Sequence, residues 1–299
     1  MGRELVVQLA SEGCSVATCD VNADSVAETA LRAQKEAPAG TEITTHLCDV
    51  SDEEQARRFR DEVAQAHQTD HINLLFNNAG IGGGGSFVAG ERAEWDKTFA
   101  VCWGGVYHCT RAFMPMLIAS DEGYLVNTSS VNGFWASLGP GIPHTAYSTA
   151  KFAVKGFSEA LLEDLRVNAP HVKVAVVMPG HIGTDIVINS RKLLGGPEPE
   201  DMTADDLAKV RSDMVRRGLP LGDPSDDDLR NMVAMMGQMF RDAAPTSAAQ
   251  AATVILDGVR EGKWRILVGD DAHRIDEAVR RDPEGIYGPG GAALDIFKR

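Results

Sequence analysis

The chain has 299 residues, 43% of them hydrophobic and 24% charged, with 29 basic against 43 acidic side chains and a formal net charge of −14. That apolar share excludes a disordered or low-complexity chain, and the length suits one large α/β domain or two small ones. The acidic excess speaks against nucleic acid and an anionic membrane surface as main partners, and no apolar run approaches the roughly 18 residues of a membrane helix.

The chain opens directly in a predicted helix over 2–12, with Leu5, Val6, Leu9 and Ala10 as its apolar stripe and Gly13 as the stop signal. Short runs rich in β-branched residues then alternate with longer helical patterns. Strands are predicted near 15–19, 43–48, 72–76, 124–128 and 172–178, with helices near 24–36, 52–67, 92–119 and 146–167 between them. The continuous run from Val172 to Val177 suits a strand covered on both faces. After residue 185 the rhythm breaks. Residues 186–245 hold no clear strand, carry Pro, Gly and Asp clusters, and include Met232, Met235, Met236 and Met239. A helix near 247–261 and a strand near 265–268 resume the alternation. Strands separated by helix-length segments make a doubly wound parallel α/β sheet with right-handed crossovers. We read residues 1–299 as a single Rossmann-like domain, with 186–245 inserted as a substrate lid over the sheet's C-terminal edge, where open α/β sheets bind ligands.

Asp20 ends the first predicted strand, Ser15-Val16-Ala17-Thr18-Cys19-Asp20. In a dinucleotide-binding unit an acid at this place hydrogen-bonds the adenosine ribose hydroxyls and repels the extra phosphate of NADP. It should lie about 20 residues past a Gly-rich turn at a helix N-terminus; Gly2 stands eighteen residues upstream. Taken alone, Asp20 reads first as a cap of the following helix. A formal G-x-G-x-x-G at Gly80, Gly82 and Gly85 follows a strand, but no helix begins at once and no acid-ended strand follows. It reads as a flexible loop beside the ligand edge. Tyr147 and Lys151, at i and i+4, share one helix face, where an ammonium can stabilise a phenolate. The preceding strand ends in Asn127-Thr128-Ser129-Ser130, which brings Ser130 to the sheet edge.

With these residues in order, the chain resembles the short-chain dehydrogenase/reductase family of Tyr-x-x-x-Lys type over roughly residues 2–185. The resemblance implies Ser130, Tyr147 and Lys151 as catalytic serine, acid/base and ribose-binding lysine. It implies adenosine contacts from Asp20, Asp49 and Val50, a cofactor-lining turn at Asn77-Asn78-Ala79-Gly80, and a nicotinamide carboxamide grip in Pro179-Gly180-His181-Ile182-Gly183-Thr184, through the Ile182 backbone and the Thr184 hydroxyl. The implied activity is interconversion of a secondary alcohol and a ketone with NAD, which Asp20 favours over NADP. The implied assembly is a homodimer or homotetramer through the helices at 92–119 and 146–167. The expected substrate is a small-molecule alcohol or ketone, with the long insertion and its methionines leaning toward a bulky apolar one.

Two departures stand out. The family's opening strand and its Thr-Gly-x-x-x-Gly-x-Gly loop have no counterpart beyond Met1-Gly2. A gap in the sheet, with its neighbouring strands unpaired and the phosphates poorly held, is therefore expected, as is a late start or a truncated fragment. Cys102, in Val101-Cys102-Trp103-Gly104-Gly105-Val106, stands where the family has a catalytic Asn, which leaves a catalytically inert NAD-binding or regulatory homologue as the alternative. The five cysteines (14, 19, 48, 102 and 109) show no CxxC spacing, so neither a disulfide framework nor a metal site is expected, and the compartment is read as the reducing cytoplasm. Cys14, Cys19 and Cys48 read as small core residues. His144 reads as a loop histidine or a substrate contact, His181 as a neighbour of the nicotinamide, and Trp135 as pocket wall or packing. The Met-rich stretch reads as lid, core or subunit contact. The acidic segments 198–206 and 223–228 read as solvated faces.

Overall fold

The computed structural model describes residues 1–139, 142–216, 222 and 224–288. Helix α1 (Gly2–Ser11) buries Leu5, Val6, Leu9 and Ala10, and Gly13 terminates it at φ 85°, a left-handed conformation that suits glycine. Strand β1 (Val16–Asp20) leads through α2 (Ala23–Glu36) to β2 (Ile43–Leu47), and α3 (Glu53–Ala66) follows. Asn22 caps α2 by accepting from the Ser25 N–H, and Asp52 caps α3 through the N–H groups of Glu54 and Gln55. Strand β3 (Leu74–Asn77) precedes α4 (Arg92–Phe99), a π turn (Ala100–Gly104) and α5 (Gly105–Ile118). Then come β4 (Gly123–Thr128), α6 (Thr145–Asn168), β5 (Val172–Pro179) and the short β6 (Ile182–Gly183). Helices α7 (Ile186–Leu193), α8 (Ala204–Arg216) and α9 (Asp226–Asp242) occupy the strandless stretch. The short β7 (Thr246–Ser247), α10 (Ala248–Arg260), β8 (Arg265–Val268) and α11 (Asp270–Arg281) complete the order.

All ladders are parallel. Strands β3-β4-β5-β8 form one sheet, β1-β2 a second, and β6-β7 a two-residue clasp. Along β4, Tyr124 and Val126 join a cluster with Leu5 and Leu9 of α1 and Ile255 and Leu256 of α10. The intervening Leu125 joins Leu117 of α5 and Leu161 and Leu165 of α6 on the other face. This period-2 division is the doubly wound arrangement expected from the sequence. The expected gap is present too. Among the described residues β1 pairs only with β2 and β3 only with β4, and a cavity of about 620 Å³ lies between them.

Several boundaries differ from expectation. The strand predicted over 72–76 begins two residues later, because the Ile72 N–H donates to the Met116 carbonyl of α5 rather than to a strand (3.2 Å), while Asn77 takes a ladder place opposite Asn127. The single helix predicted over 92–119 is interrupted by the π turn. Helix α11 was not expected: its Asp270-Asp271-Ala272-His273-Arg274 start is polar, although Asp271, Ala272 and Ile275 are buried. Trp135 is buried against Val131, Ala272, Ile275 and Ile286, so it packs under α11. Met232, Met235, Met236 and Met239 are exposed along α9, which removes the core reading of that stretch. Cys14 and Cys19 are half-buried beside the strands, and Cys48 is buried. Of the acidic segments, Asp223 lies outside the described residues, while Pro199 is buried within 198–206. Among the described residues no helix is long and apolar enough to cross a membrane.

Candidate active site

Strand β4 ends at Thr128 and the chain passes through Ser129 and Ser130 into a 3-10 turn, Val131–Gly133. The Ser129 hydroxyl donates to the Lys151 carbonyl (2.7 Å), and the Ser130 hydroxyl accepts from the Asn132 N–H (3.1 Å). Gly133 allows this closeness, since a Cβ there would overlap Ser129 Oγ and lie 2.8 Å from the Lys151 oxygen. Helix α6 starts at Thr145 and carries Tyr147 and Lys151 one turn apart on the same face. Lys151 Nζ donates to the Thr128 carbonyl (2.8 Å) and lies 5.4 Å from the Tyr147 ring centroid. Lys151 is 2% exposed and Ser130 7%. Burial pushes the Tyr147 phenol up, with the nearby Ser130 hydroxyl working against it, and pushes the Lys151 ammonium down. Both shifts have the same origin: each charged form loses water.

His144 stacks on Tyr147, with ring centroids 4.6 Å apart and planes 13° from parallel. Its Nδ1 is buried without a hydrogen-bond partner, and burial lowers its pKa to about 4, so the ring is neutral at physiological pH. The histidine is the last residue of the loop ahead of α6, packed on the catalytic tyrosine rather than open to solvent.

The Gly80–Gly85 stretch was expected to be a flexible loop, and its hydrogen bonds contradict that. The Gly82 N–H donates to Ser190 Oγ of α7 (2.7 Å) and the Gly84 N–H to Glu94 Oε1 of α4 (2.8 Å). The carbonyls of Gly84 and Gly85 accept from the backbone N–H groups of Ala146 and Thr145, both at 3.0 Å. Gly84 has φ +59°, and a Cβ there would overlap Ala146. The loop thus docks on the start of α6. Cys102, fully buried in the π turn, donates through Sγ to the Ile81 carbonyl (3.1 Å).

Gly2, Asp20, Val50, Asn78 and Ala79 all line the cavity between β1 and β3, so five of the expected cofactor residues meet around one space. Gly2 packs on Asn78, since a Cβ on it would lie 2.7 Å from Asn78 Nδ2. Gly80 bridges toward the catalytic group, where a Cβ would lie 3.4 Å from Lys151 Nζ. Asp20 is exposed at the end of β1 and accepts from the Asn22 N–H (2.9 Å). Asp49 is already engaged: Lys97 Nζ approaches one oxygen at 2.7 Å, and Ser51 donates twice to the other. Those bonds hold its carboxyl below the usual carboxylate range against the opposing effect of burial.

At the end of β5, Pro179 and Gly180 continue beside β8, with the Gly180 N–H donating to the Val268 carbonyl (2.9 Å). Ile182 is buried in β6 opposite Thr246, and Thr184 follows half-buried. Sequence reasoning missed what holds this segment. Asp271 Oδ2 accepts from the His181 N–H (2.6 Å), the His181 ring bonds the Phe240 carbonyl through Nε2 (2.6 Å), and Arg241 pairs with Asp185 (3.0 Å). The available signal was Gly269-Asp270-Asp271 directly after the last strand, at the ligand edge.

A nicotinamide dinucleotide fits these residues unevenly. At one end Asn78, which lines the cavity beside Gly2, has its Oδ1 buried with no hydrogen-bond partner. At the other, Tyr147, Lys151 and the 179–184 segment supply polar groups at the sheet edge. For the pyrophosphate, the first N–H groups of α1 are the available donors.

A family model described as short chain dehydrogenase matches residues 1–194. SadH of Mycobacterium tuberculosis (strain ATCC 25618 / H37Rv), named for an oxidoreductase, is 31% identical over 280 residues, covering 94% of this chain and 86% of the relative. A short-chain dehydrogenase/reductase from Burkholderia phymatum, solved in complex with NAD, superposes with a TM-score of 0.73 at 25% identity, covering 95% of this chain and 90% of the other. A metagenomic short-chain oxidoreductase solved with NADP shares the fold, with a TM-score of 0.54, 23% identity and coverage of 89% and 90%.

Proposed function

The chain belongs to the short-chain dehydrogenase family, and from that premise we propose that it is an NAD-dependent oxidoreductase that interconverts a secondary alcohol and a ketone. The observation that carries this reading is the convergence of Ser130, Tyr147 and Lys151, with the Lys151 ammonium 5.4 Å from the Tyr147 ring centroid and bonded to the Thr128 carbonyl at the end of the strand that leads into Ser130. Bound NAD would supply the hydride acceptor, which is the cofactor's own chemistry. The protein's part is proton transfer and alignment. In the oxidation direction Tyr147, as phenolate, takes the proton of the substrate hydroxyl. Ser130 orients that oxygen, and Lys151 provides the positive charge that makes a buried phenolate tolerable. Gly2, Asp20, Val50, Asn78 and Ala79 would hold the adenosine and phosphate end, with Asp49 behind them. Gly80, Pro179, Gly180, Ile182 and Thr184 would hold the nicotinamide end. Asp20 is the support for NAD over NADP, because its carboxylate would repel a ribose phosphate. The lid of α7, α8 and α9, with its exposed methionines, suits an apolar substrate.

The test is turnover across a panel of secondary alcohols and ketones with Tyr147→Phe as the control. Loss of about 10²-fold or more in kcat with NADH binding intact is expected. Survival of activity in that variant overturns the mechanism, and equal kcat/KM with NAD and NADP overturns the cofactor assignment. A second reading rests on Cys102, whose thiol is spent on the Ile81 carbonyl where the family has an Asn. It is that of a binding protein without turnover, and NADH binding with no activity on the whole panel would favour it.

A further inference from the structure

We propose that Asp271 is a positioning residue that fixes the nicotinamide half of the site through the backbone of His181. The inference rests on the reading that residues 179–184 hold the nicotinamide. Asp271 lies in the first turn of α11 and is 5% exposed, a rare condition for a carboxylate. One oxygen accepts from the His181 N–H at 2.6 Å; the other is buried with no hydrogen-bond partner. The chain makes room for this carboxylate from two sides. A Cβ on Gly180 would overlap both its oxygens, and one on Gly269 would lie 2.5 Å from Oδ1. Backbone from β5, from the end of β8 and from α11 therefore closes around a single acid.

The rest of the segment is tied elsewhere. The His181 ring is anchored on Phe240, the Asp185 carboxylate on Arg241, and Ile182 and Gly183 pair with β7. The His181 N–H lies between Gly180 and Ile182, and Asp271 is its acceptor. Removing it leaves a buried donor unpaired and frees the turn that aims the Ile182 backbone and the Thr184 hydroxyl. A charge-assisted hydrogen bond to the backbone is the kind that fixes a turn firmly.

Two variants and two ligands test this. Asp271→Ala removes the acceptor, whereas Asp271→Asn keeps an oxygen in the same place. NADH probes both ends of the site; ADP-ribose, which lacks the nicotinamide, probes only the adenosine and phosphate end. The expected result is about tenfold weaker NADH binding in Asp271→Ala, the scale of one lost hydrogen bond, with ADP-ribose affinity within about twofold of wild type. Asp271→Asn should restore most of the NADH affinity. In the protein without ligand, amide exchange across 179–184 should quicken in Asp271→Ala and stay slow in Asp271→Asn. Unchanged NADH affinity and exchange in Asp271→Ala overturn the proposal. So does an equal fall for both ligands, which would mark a general structural role. A wild-type protein that binds ADP-ribose as tightly as NADH, or binds neither, fails at the nicotinamide reading itself, and the proposal falls with it.

Discussion

At the scale of single residues, burial works against the charged forms of Tyr147, Lys151 and His144, and His144 makes this measurable. Its ordinary pKa is about 6.5, and burial lowers it to about 4. Between those values the unfolded chain binds a proton that the folded chain refuses. Stability from this group is therefore complete above pH 6.5 and declines as pH falls through the window, by up to about 3 kcal/mol before any discount for partial exposure. His144→Phe keeps a flat ring against Tyr147 and removes the titration. It should therefore lose less Tm than wild type between pH 7.5 and pH 5, by thermal melts at matched ionic strength. An identical pH slope in both proteins would show that His144 titrates freely. Tyr147, Lys151 and Ser130 were legible in the sequence because helical spacing and a strand end fix their relation locally. The stack of His144 was not, because the turn that starts α6 depends on carbonyls some 60 residues upstream. Asp271 was less legible still, since its partner His181 lies 90 residues away and the contact is to backbone.

At the scale of elements, the long segments were readable and the short ones were not. Amphipathic stripes such as Leu5, Val6, Leu9 and Ala10 declare a helix from within. Strands β6 and β7 are two residues each and exist because Ile182 and Gly183 meet Thr246 and Ser247 across the fold. The π turn at Ala100–Gly104 carries no signal in composition, yet it is where Cys102 turns inward to Ile81. The Gly80–Gly85 stretch matches a phosphate-loop pattern, but its glycines permit docking on α6, and this reading has a consequence. Gly84→Ala places a methyl group on Ala146 at a φ of +59°, so the cost combines left-handed strain with overpacking, about 2–4 kcal/mol in all. Gly85→Ala is the matched control: its φ is not positive, and its Cβ would lie 3.3 Å from the Pro143 oxygen. Urea unfolding should show the large loss only for Gly84→Ala, with kcat falling alongside because the start of α6 carries Tyr147. Equal, small losses would mean that the loop yields and does not brace the helix.

At the scale of the molecule, alternation of strand and helix made the doubly wound sheet legible. What the sequence could not give is how the β1-β2 unit stays attached. It hangs on helices: Val6 and Ala10 of α1 pack with Ala33 of α2, and Phe59 of α3 meets Phe113 of α5 edge-on at 5.3 Å. The facing edges of β1 and β3 have no ladder between them. In a strand, successive N–H groups point to opposite sides. The Val16 N–H donates to Glu42 beside β2 (2.8 Å), so alternation turns those of Ala17 and Cys19 toward the cavity. On β3 the Asn73 carbonyl accepts from Tyr124 of β4 (2.7 Å), which turns Leu74 and Phe76 the other way. Hydrogen exchange should therefore split each strand by parity. Ala17, Cys19, Leu74 and Phe76 should exchange at least about tenfold faster than Val16, Thr18, Leu75 and Asn77, because opening the first set breaks no ladder. The central β4, and β5 from Val176 to Met178, are paired on both sides and should show no such alternation. Exchange resolved residue by residue reads this directly. Uniform protection along β1 and β3 would mean that the cavity edge is paired in solution, and that the two sheets act as one.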